Sequence, residues 1–278
     1  MNTNNKYPNF LFIGAGKTGS KWLTKVLKNH PQVFVASIDM YFFDRDENYN
    51  KGLNWYKSFF QNANNSHIAV GELSHDYLYS KTAAKRIYKF NKDMKLIINL
   101  RNPVDLCFST HNAEYNGGLT DLTFNDAMIS NDDLIFQAKY YEHIKFYFQY
   151  FDKKNILILK YDELVNNKYE FLRQIFEFLN VKNIKELGDI PAYNTAKKPR
   201  IKIFGIIAKK SANLLRKFNL LTALSFFKNN SLIKKLLFKK KKGNTLSSVD
   251  KKMLIKYFID DIKKTEKLTG MNLKNWYL

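Results

Sequence analysis

Residues 14–20 read Gly-Ala-Gly-Lys-Thr-Gly-Ser, with Lys21 next, after an apolar run that ends at Ile13 and before a helical pattern. A strand that turns through glycines into a helix gathers backbone N–H groups and the positive end of a helix dipole at one point, which suits an anion. Lys17, Thr18, Ser20 and Lys21 add side-chain donors to that turn. Three readings fit. The glycines serve a tight turn and nothing more. Alternatively, Gly14-x-Gly16-x-x-Gly19 opens a dinucleotide fold, with Asp39, 20 residues beyond Gly19, as the ribose-binding acid. Last, the loop is of Walker type, but that pattern needs Lys directly after its final Gly, and here Ser20 follows Gly19.

A second constellation begins at Lys95-Leu-Ile-Ile-Asn-Leu-Arg101, an apolar strand that stops at a guanidinium, with Ser109 eight residues on. Pro103 suits the first turn of the helix between them. An Arg at the carboxyl end of a strand faces the crevice where α/β proteins bind ligands, and Ser109 stands two helical turns along. Guanidinium plus hydroxyl would clamp a phosphate.

The elements that position these groups alternate. Strands are expected at Asn9–Ile13, Val33–Val35, Ile68–Glu72, Lys95–Leu100 and Asn155–Leu159. A helix after Ser20 should bury Trp22, Leu23, Val26 and Leu27; others are expected over Tyr79–Phe90, from Pro103 to about Tyr115, and over Tyr169–Leu179. Leu134, Ala138, Tyr141, Ile144 and Phe148 mark one long amphipathic helix, and Ser248 to Leu268 another, stopped by Gly270. The alternation predicts an α/β fold with a central parallel sheet of about five strands.

Composition bounds the rest. The 278 residues, 45% hydrophobic with 23 Phe and 17 Tyr, fit one large α/β domain, or at most two small ones, with an aromatic core. Of the net charge of +21, 13 positive residues lie between Arg200 and Gly243, where Asp and Glu are missing. That stretch suits a groove for an anionic acceptor, an amphipathic basic helix on an anionic membrane surface, or a solvated face. Nucleic acid is disfavoured, because no binding motif accompanies the charge. Cys107 is the one cysteine, so an intrachain disulfide is excluded. The sequence lacks an apolar run of membrane-spanning length, and Phe10–Ile13 is too short for a signal peptide, so a cytoplasmic protein is expected.

With these residues in hand, the chain resembles the sulfotransferases that use 3′-phosphoadenosine-5′-phosphosulfate (PAPS), and most nearly their glycan-modifying, heparan-sulfate-type branch. Lys17-Thr-Gly-Ser-Lys21 resembles that family's 5′-phosphosulfate loop, and Arg101 with Ser109 its 3′-phosphate site. Met40-Tyr-Phe-Phe-Asp44, Lys51-Gly52, Trp55-Tyr56 and Phe59-Phe60 match a family block of paired Phe, Lys-Gly and Trp-Tyr. Lys198-Pro-Arg200 and the ending from Phe258 to Trp276 are further marks. The resemblance implies one P-loop-like, three-layer domain over residues 1–278. It also implies PAPS as co-substrate without a metal, bound by Lys17, Thr18, Gly19, Ser20, Lys21, Arg101, Ser109, Lys198 and Arg200. Lys17 would stabilise the leaving phosphate. Asp39 stands at the family's base position, with Glu72 and His75 as alternatives. The acceptor would be a glycan or a small molecule. An NAD(P)-dependent oxidoreductase and a non-catalytic module that binds phosphate or lipid surfaces are the competing readings.

Overall fold

The computed structural model describes residues 7–36, 39–184 and 246–278, and the backbone of 197–199 and 238–240. In chain order it runs β1 (Phe10–Gly14), α1 (Ser20–Lys28), β2 (Val33–Val35), α2 (Asp46–Tyr49), α3 (Gly52–Ser58) and β3 (Ala69–Leu73). There follow α4 (Lys81–Phe90), β4 (Lys95–Leu100), α5 (Pro103–Asn116), α6 (Phe124–Ser130), α7 (Asp132–Ala138) and α8 (Tyr140–Tyr147). Then come β5 (Ile156–Lys160), α9 (Tyr161–Asn166), α10 (Lys168–Leu179), β6 (Lys197–Pro199), β7 (Phe238–Lys240), α11 (Ser248–Ile255) and α12 (Ile259–Thr269).

These elements group into two compact units. The first holds residues 1–103, 139–193 and 255–278, and with them the whole five-stranded sheet. Strand order is β2-β3-β1-β4-β5, and every pairing is parallel. β1 is therefore central, flanked by β3 and β4, and its register with β4 shifts between Phe12 and Gly14 as the strand enters the glycine loop. Phe10, Phe12, Ile97 and Leu159 meet Trp22, Leu23, Val26 and Leu27 of α1 and Phe171, Ile175 and Phe176 of α10 in one core cluster. Side chains alternate faces along a strand. Leu11, Ile13, Leu96, Ile98 and Leu100, of the opposite parity, are equally buried, so both faces of the sheet are covered, as a parallel sheet requires.

The second unit comprises residues 104–138 and 194–254, with most of α5, then α6, α7, the antiparallel pair β6–β7 and α11. Inside it the Cys107 thiol donates to the Leu134 carbonyl at 3.3 Å, and burial pushes that thiol up to about 12. Lys251 pairs with Asp105 at 2.8 Å.

The strands fall where the alternation places them, within one residue at each end. The helices differ in three places. Tyr77–Tyr79 is a separate 3-10 turn, and α4 starts only at Lys81 because the Ser80 hydroxyl accepts from the Ala83 N–H. The expected long helix through residues 134–148 breaks at Lys139. There the Asp261 carboxylate accepts from the N–H groups of Tyr140 and Tyr141 at 2.7 and 3.2 Å, starting α8 afresh. The expected helix from 248 to 268 is likewise two, α11 and α12, with fully buried Phe258 at the break and Gly270 closing α12 at φ 75.

Candidate active site

The loop after β1 is held by its own atoms and by β4. The Ala15 N–H donates to the Asn99 carbonyl at 3.0 Å, the Thr18 hydroxyl to the Ala15 carbonyl at 2.7 Å, and the Asn99 Nδ2 to the Thr18 carbonyl at 2.9 Å. Between these bonds Lys17 takes φ 62, a left-handed conformation that non-glycine residues adopt rarely, and its side chain is exposed. Gly19 turns the chain into α1 at φ 88, and a Cβ there would come within 2.8 Å of Leu164 Cδ2. Gly19 gives α1 no side-chain cap, and the first turn of α1 carries no acid. The N–H groups of that turn lie beside half-exposed Ser20 and exposed Lys21, within four residues of Lys17, and a helix start of this kind suits an anion.

Arg101 reaches this loop directly. Its Nη1 donates to the Lys17 carbonyl at 2.9 Å, and its guanidinium lies 4.7 Å from the centre of the Tyr161 ring. The Tyr140 hydroxyl donates to the Arg101 carbonyl at 2.7 Å and fixes the backbone where β4 ends. Arg101 and the Lys17 loop are therefore one assembly at the carboxyl end of the two central strands, the crevice in which α/β folds bind ligands. Ser109 lies on α5, half-exposed, in the second unit. Of the remaining expected nucleotide residues, Lys198 is seen only as backbone of β6, and Arg200 lies outside the described residues.

The three base candidates have unlike surroundings. Glu72, at 0% exposure, accepts from the hydroxyls of Tyr56 at 3.0 Å, Tyr77 at 2.8 Å and Ser74 at 2.7 Å, and from the Met40 backbone. Burial nevertheless raises its carboxyl to about 7, against those hydrogen bonds. Tyr77 and Ser74 in turn accept from the N–H groups of Phe42 and Tyr41 at 2.8 and 3.3 Å, so Glu72 anchors the segment 40–43. His75 is half-exposed, and a Cβ on Gly16 would come within 3.0 Å of its Cδ2, which places the imidazole against the loop. Its Nε2 is 3.4 Å from Asp76 Oδ1, and its ring meets Tyr41 edge-on. Asp39 is exposed at the head of the anchored segment. Its carboxylate acts on Lys28, whose ammonium desolvation lowers and Asp39 raises.

Sequence reasoning missed several members of this site. The Tyr79 hydroxyl accepts from the Gly16 N–H at 3.4 Å, Tyr161 supports Arg101, and Asn99 underlies the loop. Asp44, pushed up to about 6 by burial, sits with Arg45 and Asp76, the guanidinium 3.9 and 3.5 Å from the two carboxylates. The one signal available for Asn99 was an amide inside an otherwise apolar strand.

Residues 8–201 match the family model described as Sulfotransferase domain, so this chain belongs to the sulfotransferase family. Among curated proteins it is 28% identical over 186 residues to human heparan sulfate glucosamine 3-O-sulfotransferase 5, covering 63% of this chain and 54% of that one. To the mouse 3-O-sulfotransferase 3B1 it is 28% identical, covering 64% and 47%. The chain thus spans about half the length of the curated relatives it matches. Its fold is that of a solved sulfotransferase from Alicyclobacillus acidocaldarius, with a TM-score of 0.70, 20% identity, and 98% and 99% of the two chains covered.

Proposed function

We propose that this chain transfers the sulfuryl group of PAPS to a hydroxyl or amine of a glycan. The observation that carries the reading is the Arg101–Lys17 bond of 2.9 Å, which joins the two elements expected to hold the two phosphate ends of the nucleotide. The acceptor class is supported by the heparan sulfate enzymes among the relatives. PAPS supplies an activated sulfuryl group. The acceptor oxygen or nitrogen bonds to sulfur as the bond from sulfur to the phosphate oxygen breaks, releasing adenosine 3′,5′-bisphosphate.

In this reading the loop N–H groups and Lys17 carry the negative charge that builds on the leaving phosphate oxygen. Arg101 holds the 3′-phosphate, the role that the family resemblance also gives Ser109. Asp39 takes the acceptor proton, an assignment favoured by its exposure; His75 is the alternative, half-exposed against Gly16. Glu72, buried under three hydroxyls, is assigned to hold the segment 40–43.

A thermal-shift comparison of adenosine 3′,5′-bisphosphate, NAD and ATP tests the reading. A ligand at 100 times its dissociation constant adds about 2.7 kcal/mol. The bisphosphate should raise the melting temperature and the other two should not; a shift with NAD alone would instead support the oxidoreductase reading. Contact of residues 200–243 with an anionic membrane surface remains a composition-based proposal, tested by co-sedimentation with vesicles containing anionic lipid. Binding no greater than to neutral vesicles would reject it.

A further inference from the structure

We propose that Asn99 is a positioning residue for this reaction, holding the Lys17 loop in the conformation that receives the 5′-phosphosulfate. The proposal rests on the sulfuryl-transfer reading. Asn99 interrupts β4, where Leu96, Ile97, Ile98 and Leu100 are all at 0% exposure and Asn99 itself is at 1%. Strands covered on both faces are normally continuous runs of Val, Ile and Leu, and an amide there is costly unless it is bonded. Ile97, two residues earlier and so on the same face, belongs to the core cluster with α1. Asn99 therefore lies on the α1 side of the sheet, at the end of β4 from which the loop is reached.

Its bonds go to the loop. The side-chain Nδ2 donates to the Thr18 carbonyl at 2.9 Å, and the backbone carbonyl accepts from the Ala15 N–H at 3.0 Å. These two contacts bracket Gly16 and Lys17, and within the bracket Lys17 is held at φ 62, a conformation that persists only where neighbouring structure imposes it. The other half of the amide argues against a packing role. Asn99 Oδ1 is buried and has no hydrogen-bond partner, a cost that an apolar residue of similar volume would not incur. The core would be as well served by Leu. The loop would not.

A loop fixed in advance lets its donors meet developing charge without first reordering. Loosening it should weaken ligands that carry a 5′-phosphate and spare those held through the 3′-phosphate alone. Calorimetric titration of wild type, Asn99→Leu and Asn99→Asp with adenosine 3′,5′-bisphosphate and adenosine 3′-monophosphate tests this, alongside melting temperatures. Asn99→Asp keeps the shape and, in its ionised form, lacks the donor to Thr18. Both variants should bind the bisphosphate about tenfold more weakly and leave the 3′-monophosphate within about twofold. Asn99→Leu should melt no lower than wild type, and its turnover of PAPS should fall by up to about 100-fold. Unchanged bisphosphate affinity in Asn99→Leu overturns the proposal, as does a parallel loss of both ligands, which marks a merely structural residue. A wild type that binds the bisphosphate no better than the 3′-monophosphate removes the 5′-phosphate loop itself, and the sulfuryl-transfer reading fails with it.

Discussion

Lys17 joins an exposed ammonium to a backbone fixed on both sides, by Asn99 through Thr18 and by Arg101 through its own carbonyl. Because the side chain is exposed, Lys17→Ala should leave the melting temperature unchanged. Loss of a donor at the leaving oxygen should cost about 2.7–4 kcal/mol of barrier, or roughly 100- to 1,000-fold in kcat. Single-turnover transfer rates read this, and near-normal turnover would remove the leaving-group role. The base is the other residue-scale question. Asp39→Asn should cut kcat at least ~100-fold with bisphosphate affinity unchanged, and His75→Ala should do less. If His75→Ala is the deeper loss, the imidazole against Gly16 is the base and Asp39 is structural. Lys17, Arg101 and Asp39 could be singled out in the sequence as candidates because each sits in or beside a local motif. Asn99, Tyr79 and Tyr161 could not, since their partners lie 81, 63 and 60 residues away along the chain.

Among the elements, the 40–43 segment and β3 are coupled through one buried carboxyl. Phe42 stacks on Tyr56 at 4.4 Å, Tyr56 donates to Glu72, and Tyr77 bridges Glu72 to the Phe42 N–H. The aromatic block that reads in sequence as a family mark is thus core packing that carries Asp39 to its place. Burial raises Glu72 from an ordinary 4.5 to about 7, so the folded chain holds this proton more tightly than the unfolded chain. The sign follows: its contribution to stability is complete below about 4.5 and is lost as pH rises through about 7. The loss should be about 3 kcal/mol. Chemical denaturation at pH 5 and pH 8 should show it, and Glu72→Gln should flatten the difference; an equal slope in the variant would assign it elsewhere. The strands and α1 were readable because burial on both faces and a 3.6-residue period leave marks in the local sequence. The break between α7 and α8 was not, because Asp261, which caps α8, lies 121 residues beyond Tyr140.

For the whole molecule, parallel pairing in the order β2-β3-β1-β4-β5 puts β1 at the centre and its loop beside the end of β4. That order is not local information, yet it brings Arg101 to Lys17. The contacts group a sheet unit and a second unit, and much of the basic stretch 200–243 lies outside the described residues. The proposed function turns on the sheet unit's loop handling PAPS. The measurement that reaches it most directly is release of adenosine 3′,5′-bisphosphate from PAPS on addition of the proposed acceptor class, tested with a heparan sulfate oligosaccharide, for wild type and Lys17→Ala. Wild type should form bisphosphate and sulfated oligosaccharide in equal amounts, and Lys17→Ala should form both at least ~100-fold more slowly. Wild type that forms neither product with this acceptor, or a Lys17→Ala variant that forms both at the wild-type rate, would contradict the proposed function.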